Sequence, residues 1–330
     1  MEIIVVGDLH KQYNEEKPFF KRNKDFDDWF LEQDFNNKDN ILIQAGDFFD
    51  KKDPNTKTIN QAFHFIKGCK FKKIYILSGN LNHEFSRIKR TYAIDSLHEL
   101  PNVELVKRDK LITIDNTNIL LLPWIPNNIY DDIPNMKEYY ERLEYKKADY
   151  VISHVEDEKY NFGEYVDLSR IVSNNCKRRN GHIHIKNNHY LGTPYITRQD
   201  EKDKDSYILS INSETKEETF IKTPKLLDYY TVEYPNEIPK EYLDLKYLLL
   251  SVTNAPSVDI VENMYKKDNI YFHRVYTNRL NTNDSNEVQN LEEINLKELL
   301  DNYCKENKLS KDIQDECVKV LNKGDLYDIK

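Results

Sequence analysis

Met1-Glu2-Ile3-Ile4-Val5-Val6-Gly7-Asp8-Leu9-His10 opens the chain. Residues 2–7 read as a buried strand: a short apolar run that stops at a glycine. Asp8 and His10 follow at i and i+2, a spacing that puts both side chains on one face of extended backbone. The same grammar recurs. Residues 40–45 form an apolar run that leads into Gly46-Asp47-Phe48-Phe49-Asp50. Residues 73–77 lead to Gly79-Asn80-Leu81-Asn82-His83-Glu84, and residues 150–153 end on Ser153-His154. Gly181-His182-Ile183-His184 is the fifth polar piece. Residues 27–31, 57–67 and 85–97 have helical period. Short strands alternating with helices imply an α/β layered fold with a largely parallel sheet. In such a sheet the carboxyl ends of the strands form the ligand crevice, so five polar clusters there would converge.

Residues 103–106, 111–114 and 118–122 read as further strands, and residues 179–211 as turn-rich β structure. Composition shifts near Thr223-Pro224. Beyond it, residues 245–253, 258–265 and 270–276 read as a strand, a helix and a strand. Residues 281–286 are a polar linker, and residues 291–321 have helical periodicity. That apolar stripe either folds on the chain's own core or docks on a partner. The charge run 200–205 (Asp-Glu-Lys-Asp-Lys-Asp) reads as a solvated loop.

The chain has 330 residues, enough for a large core. Mean hydropathy is −0.78, but aromatic residues are 12%, which excludes disorder of the whole chain. No apolar run approaches the length of a membrane span, and the N-terminus lacks a signal-like basic and apolar pattern. An intracellular, cytoplasmic protein is expected. The four cysteines (Cys69, Cys176, Cys304, Cys317) are widely spaced, which argues against a disulfide framework or a zinc knuckle. Lys and Arg number 48 against 57 Asp and Glu, a net charge of −9. A nucleic-acid binder using its whole surface is usually basic, so any such contact must be local. Arg87 and Arg90, and Arg178 and Arg179, lie in local basic clusters.

Asp, Asn and His offer hard oxygen and imidazole nitrogen, which suit Mn, Fe or Zn. Asp8, His10, Asp47, Asn80 or Asn82, His154, His182 and His184 are too many for one ion. Shared through Asp47, they suit two ions about 4 Å apart, which polarise phosphoryl oxygens and acidify a bound water. His64, His98, His189 and His273 read as packing or surface groups.

The ordered set Asp-x-His, Gly-Asp-x-x-Asp, Gly-Asn-…-His-Glu, a lone His and Gly-His-x-His resembles the calcineurin-like metallophosphoesterases. Leu122-Pro123-Trp124-Ile125-Pro126 and Tyr190-Leu191-Gly192-Thr193-Pro194-Tyr195 resemble segments of the SbcD-type DNA repair and recombination nucleases, among them the nuclease subunit of tailed-phage recombination endonucleases. The resemblance implies a layered β-sandwich core flanked by helices, a small α+β capping domain and a C-terminal helical tail. It implies boundaries at 1–222 (nuclease), 223–280 (DNA capping) and 281–330 (linker and helices that bind an ATPase). Asp8, His10, Asp47 and His184 would hold one metal; Asp47, the motif Asn, His154 and His182 the other; and His83 would act on the phosphate and leaving group. Asp50 would order its loop, and Glu84 would orient His83 or start a helix. Apart from the resemblance, Arg87, Arg90, Arg178 and Arg179 in their local basic clusters either contact DNA or lie on a solvated surface.

The implied activity is a two-metal double-strand exonuclease and single-strand endonuclease, with Mn or Mg. The implied partners are DNA, an SMC/ABC-type coiled-coil ATPase (SbcC-like) and a second copy of the chain, the last through helices near 57–67 and 85–97. The rivals are a phosphatase or cyclic-nucleotide phosphodiesterase, and a non-catalytic subunit. The family reads Gly-Asn-His directly, whereas two extra residues separate Asn80 from His83, so the motif Asn is Asn80 counted from the strand or Asn82 counted back from His83.

Overall fold

A computed structural model describes residues 1–13, 18–157 and 165–277. The linker and tail expected at 281–330 lie outside the described residues. In chain order the elements are β1 (Glu2–Val6), α1 (Pro18–Glu32), β2 (Ile41–Gln44), α2 (Thr56–Gly68), β3 (Lys73–Leu77), β4 (Phe85–Ser86), β5 (Thr91–Tyr92), β6 (Val103–Val106), β7 (Lys110–Ile114) and β8 (Thr117–Leu122). There follow α3 (Met136–Tyr140), β9 (Tyr150–Ser153), α4 (Leu168–Ile171), β10 (Lys177–Asn180), β11 (Tyr207–Asn212), β12 (Glu218–Lys222), β13 (Leu227–Glu233), α5 (Lys240–Leu243), β14 (Tyr247–Ala255), α6 (Val258–Tyr265) and β15 (Ile270–Thr277). The fold is mixed α/β, with several sheets and few helices among the described residues.

One sheet has the order β12-β11-β1-β2-β3-β6, and a second β10-β9-β8-β7. β1, β2, β3 and β6 run parallel, as do β8, β9 and β10. Their carboxyl ends therefore deliver the polar motifs to one edge of each sheet. β1 shows why the run is apolar throughout. Ile4 and Val6 pack with Phe26 and Phe30 of α1 and Phe65 and Ile66 of α2. Ile3 and Val5 alternate to the other face and share a cluster with Ile112, Ile119, Leu121 and Ile152 of the second sheet. A strand buried on both faces cannot alternate with polar residues. Leu120, Leu122 and Val151 on the far face of the second sheet pack with Met136, Tyr140 and Ile171.

α1 begins at Pro18, whose fixed φ suits a first helical position. It buries Arg22, Phe26 and Phe30, four residues apart, on one face. α2 is capped by Asn55, whose side chain accepts from Thr58 N–H at 2.8 Å.

The helix expected at 85–97 is not formed. β4 and β5 make a hairpin, and Ala93–Leu97 is a 3-10 turn. Ile88 supplied one apolar position of the helical pattern, yet it is 98% exposed at the hairpin tip. Arg90 adopts φ 55 and its N–H donates to Ser86 O at 2.7 Å, which closes the turn. The strand–helix–strand expected at 245–276 is present as β14, α6 and β15. β13, not read from the sequence, pairs beside β14 to make a three-stranded parallel sheet. This sheet meets α1 through Tyr247 and Lys246, both on Asp25 (2.6 and 2.8 Å), and through Lys21 on Tyr271.

Candidate metal centre

Three of the expected metal ligands sit in left-handed backbone: His10 (φ 41), Asp47 (φ 48) and His182 (φ 73). Non-glycine residues avoid this region, and such strain gathers at functional sites. Each occurs where the chain leaves a strand, so the turn re-aims the side chain into the crevice. Gly46 (φ 93) and Gly79 make the approach possible. A Cβ on Gly79 would lie 2.1 Å from Asp47 Oδ1, and one on Gly46 would lie 2.3 Å from His154 Nδ1.

The donors assemble into two groups, Asp8 with His10 and His184, and Asp47 with His154 and His182. His10 Nε2 and His184 Nε2 face each other at 3.0 Å. Asp8 Oδ2 is 3.6 Å from His184 Nε2 and 4.0 Å from His10 Nε2. His154 Nε2 is 3.2 Å from Asp47 Oδ1, and Asp8 Oδ1 is 3.7 Å from His154 Nδ1. Asp8 also accepts from His182 N–H at 3.0 Å. A third group joins His10 and Asp50 to His83.

The two extra residues of the third motif are absorbed in a tight turn. His83 and Glu84 N–H both donate to Asn80 O (3.2 and 2.9 Å). Asn80 is thereby held on Asp47, donating from Nδ2 to Oδ2 and from its backbone to Oδ1, both at 2.8 Å. Asn82 is exposed, and its backbone N–H donates to Asn80 Oδ1. Of the two alternatives, the geometry places Asn80 with the donors and Asn82 outside them. His83 returns to the site with its ring 4.5 Å from that of His10.

Backbone and carboxylate acceptors fix the rear nitrogens of three rings. Nδ1 of His154 is 2.7 Å from Ala45 O, that of His83 is 2.6 Å from Asp50 O, and that of His184 is 2.5 Å from Glu201 Oε1. Such partners set tautomer and ring orientation and leave Nε2 to the crevice. Both ring nitrogens of His182, though buried, have no hydrogen-bond partner among the described residues. Buried imidazole nitrogens left without partners are costly, and a cation satisfies them. The donor set of carboxylate, amide and imidazole, without sulfur, fits divalent metals.

The electrostatics couple buried carboxylates to buried imidazoles. Burial pushes the Asp8 carboxyl up to about 6, with Asp47 adding to the rise. Burial acts the same way on Asp47, but His154, His10 and His83 outweigh it and hold that carboxyl below the usual range. Burial opposes charge on His154, yet Asp47 and Asp8 raise it to about 9. Burial, reinforced by His154, lowers His182 to about 3.

Several neighbours depart from the sequence expectation. Glu84 neither orients His83 nor starts a helix; it is fully buried and accepts from Phe49 N–H at 3.0 Å, bracing the loop that carries Asp47. Arg178 pairs with Asp157 (2.9 Å) and Arg179 with Glu218 (2.8 Å), so neither guanidinium is free for phosphate. The basic cluster at 107–110 is similarly engaged: Lys107 with Asp95, Arg108 with Asp132, and Lys110 with Glu104. Arg90 is exposed on the hairpin. His189 lies 4.0 Å from Asp157, not among the donors.

Sequence reasoning missed Glu201. It belongs to the charge run read as a solvated loop, yet it is 3% exposed. Its carboxylate also accepts from Thr197 N–H and Oγ1, both at 2.6 Å. Nothing in the composition of the run distinguishes it. A cavity of about 710 Å³ opens over the donors, and Arg87, Trp124, Ile185 and Arg198 are among its lining.

Residues 1–189 match the model of the calcineurin-like phosphoesterase family. The chain belongs to that family. The matched span is more than half of the chain and contains every donor described above. A search of curated proteins finds no match. Calcineurin-like phosphoesterases are hydrolases of phosphoesters that use divalent metals, and this member brings together Asp and His clusters suited to hold them. No helix among the described residues is long and apolar enough to cross a membrane.

Proposed function

We propose that this calcineurin-like phosphoesterase is a two-metal DNA nuclease subunit, with double-strand exonuclease and single-strand endonuclease activity, of an ATPase–nuclease complex in DNA recombination and repair. The observation that carries the reading is the convergence of Asp8, His10, Asp47, Asn80, His154, His182 and His184 beneath an open cavity, with His83 beside His10. When bound, two divalent cations, Mn foremost and Mg next, polarise the phosphoryl group and make water nucleophilic near neutral pH.

The chain's own residues do the rest. Asp8, His10 and His184 form one donor set. His154, His182 and Asn80 form the other, and Asp47 lies between them. Asn80 steadies Asp47 through two hydrogen bonds. Asp50 O accepts a hydrogen bond from His83 Nδ1–H, which turns Nε2 to the cavity. From there His83 stabilises or protonates the departing sugar oxygen.

The resemblance of the Pro-Trp and Gly-Thr-Pro segments supports the nuclease branch over a phosphatase. On this reading residues 1–222 are the nuclease domain, a layered sandwich. Residues 223–280, with their three-stranded sheet and α6, are the DNA cap. Residues 281–330 bind a coiled-coil ATPase of SMC/ABC type, and the chain works as a homodimer in the cytoplasm.

The test is Mn²⁺-dependent cleavage of linear duplex and circular single-stranded DNA by the parent protein and His83→Ala. Cleavage by the parent with a loss of roughly 100-fold or more in the variant is expected. A phosphomonoester hydrolysed far better than either DNA would overturn the nuclease assignment and leave the hydrolase intact.

A further inference from the structure

Most basic side chains of the clusters around the site already have carboxylate partners. Arg87 and Arg198 differ. Both line the cavity over the donors, and neither has an ion-pair or hydrogen-bond partner among the described residues. Asp200 lines the same cavity but makes no ion pair with Arg198.

Arg198 is exposed, yet its backbone is clamped from inside. Glu201 N–H donates to Arg198 O at 3.2 Å, and the Glu201 carboxylate holds Thr197 N–H at 2.6 Å. The buried Arg22 guanidinium donates to Ile196 O. Arg87 follows directly on β4. That strand is anchored by Ala93 N–H on Glu84 O, and its turn by Arg90 N–H on Ser86 O, both at 2.7 Å. Two guanidinium groups thus stand on fixed backbone beside the donors, with their charge uncompensated. A guanidinium is a planar fork matched to phosphate oxygens.

We propose that Arg87 and Arg198 bind the phosphates that flank the scissile one, forming a subsite for a phosphodiester polymer rather than for an isolated phosphoester. The inference rests on the nuclease reading above and names residues that hold its substrate outside the metal centre. An isolated phosphoester offers one phosphate, which the cations held by the donors would take. Further anionic groups on either side belong to a polymer. Trp124 and Ile185 give the same cavity an apolar wall against which bases can lie. The net charge of −9 sharpens the point, because a surface that repels a polyanion must hold it through a few local cations.

The experiment measures binding of a short fluorescent single strand across a salt series. It uses the full chain with Ca²⁺ to prevent cleavage, comparing the parent with Arg87→Ala, Arg198→Ala, the double variant and Arg198→Lys. Each Ala variant should weaken binding roughly tenfold. Each should flatten the slope of log affinity against log salt by about 0.7, and Arg198→Lys should keep the parental slope. A double variant with the parental slope overturns the subsite, as does a parent that binds no strand, or an Arg198→Lys slope as flat as that of Arg198→Ala. Hydrolysis of bis(p-nitrophenyl) phosphate with Mn²⁺ is followed in parallel on the parent. Its absence counts against the phosphodiesterase reading, while the salt slopes decide the subsite.

Discussion

Glu201 Oε1 lies 2.5 Å from His184 Nδ1, and the same carboxylate is tied to Thr197 through both its N–H and its hydroxyl. A metal-binding imidazole whose rear nitrogen donates to a carboxylate is fixed in tautomer and orientation and is a stronger ligand. His184 meets His10 at 3.0 Å through the other nitrogen, so Glu201 aims the atom that completes the Asp8 group. Glu201→Ala should lower metal affinity about 10- to 100-fold, read by calorimetric titration of metal-free protein with Mn²⁺. Glu201→Gln keeps one acceptor oxygen and should recover part of that loss. An unchanged affinity in the Ala variant would remove Glu201 from the site.

Metal binding should release protons. Asp47 and Asp8 raise His154 to about 9 against the burial that opposes its charge, and an imidazolium cannot be a ligand. The sign follows from linkage. A histidine raised in the folded state stabilises the metal-free protein fully below its unfolded value near 6.5, and that contribution is lost as pH climbs through about 9. Each proton displaced makes metal binding tenfold tighter per pH unit, about 1.4 kcal/mol. The gap in Tm between Mn²⁺-loaded and metal-free protein should therefore widen from pH 6.5 to 9. A constant gap would mean that His154 already stands neutral in the folded protein.

Strands packed on both faces were the most legible part of the sequence. β9 begins and ends where its apolar run does, because every residue there is buried, and β3 keeps its expected bounds with Lys73 and Tyr75 half-buried. The hairpin at Phe85–Tyr92 was not legible: Ile88 fits a helical period but is apolar for a reason other than burial in a core. The donors were readable because each ends a strand, whereas their supports were not. Arg178 and Arg179 find carboxylates 21 and 39 residues away, and Glu201 finds its imidazole across a turn. Local composition carries no trace of such distant pairings. The choice between Asn80 and Asn82 likewise depends on Asp47, which belongs to another strand.

Glu84 offers a cleaner separation of charge from shape. Burial, with Asp47 nearby, holds its carboxyl well above the ordinary range, so it sits neutral in the fold and accepts from Phe49 N–H. Glu84→Gln preserves the acceptor and should leave stability and metal affinity within a few-fold of the parent. Glu84→Ala strands a buried N–H next to the Asp47 loop and should cost about 1–3 kcal/mol in urea unfolding. Equal losses in the two variants would show that the charge, not the hydrogen bond, is what the loop requires.

Beneath the site, Lys11 follows His10 and is fully buried, with its ammonium on Asp27 and over the Phe65 ring at 4.4 Å. Tyr13 donates its hydroxyl to the same carboxylate. The backbone of Lys11 also accepts from Asp50 N–H at 3.1 Å, so this residue links the first and second motifs. The two halves of the pair are unequal. Burial raises the Asp27 carboxyl, which can take up a proton and keep its hydrogen bond to Tyr13 if Lys11 is replaced by Met. Burial lowers the Lys11 ammonium as well, but without Asp27 its nitrogen keeps no hydrogen-bond partner among the described residues. Asp27→Ala should therefore cost about 3–5 kcal/mol, the range for a buried charge stripped of its partner, and Lys11→Met clearly less. Urea unfolding of metal-free protein measures both. If Lys11→Met were the more damaging change, the ammonium rather than the carboxylate would be the member that holds the two motifs together.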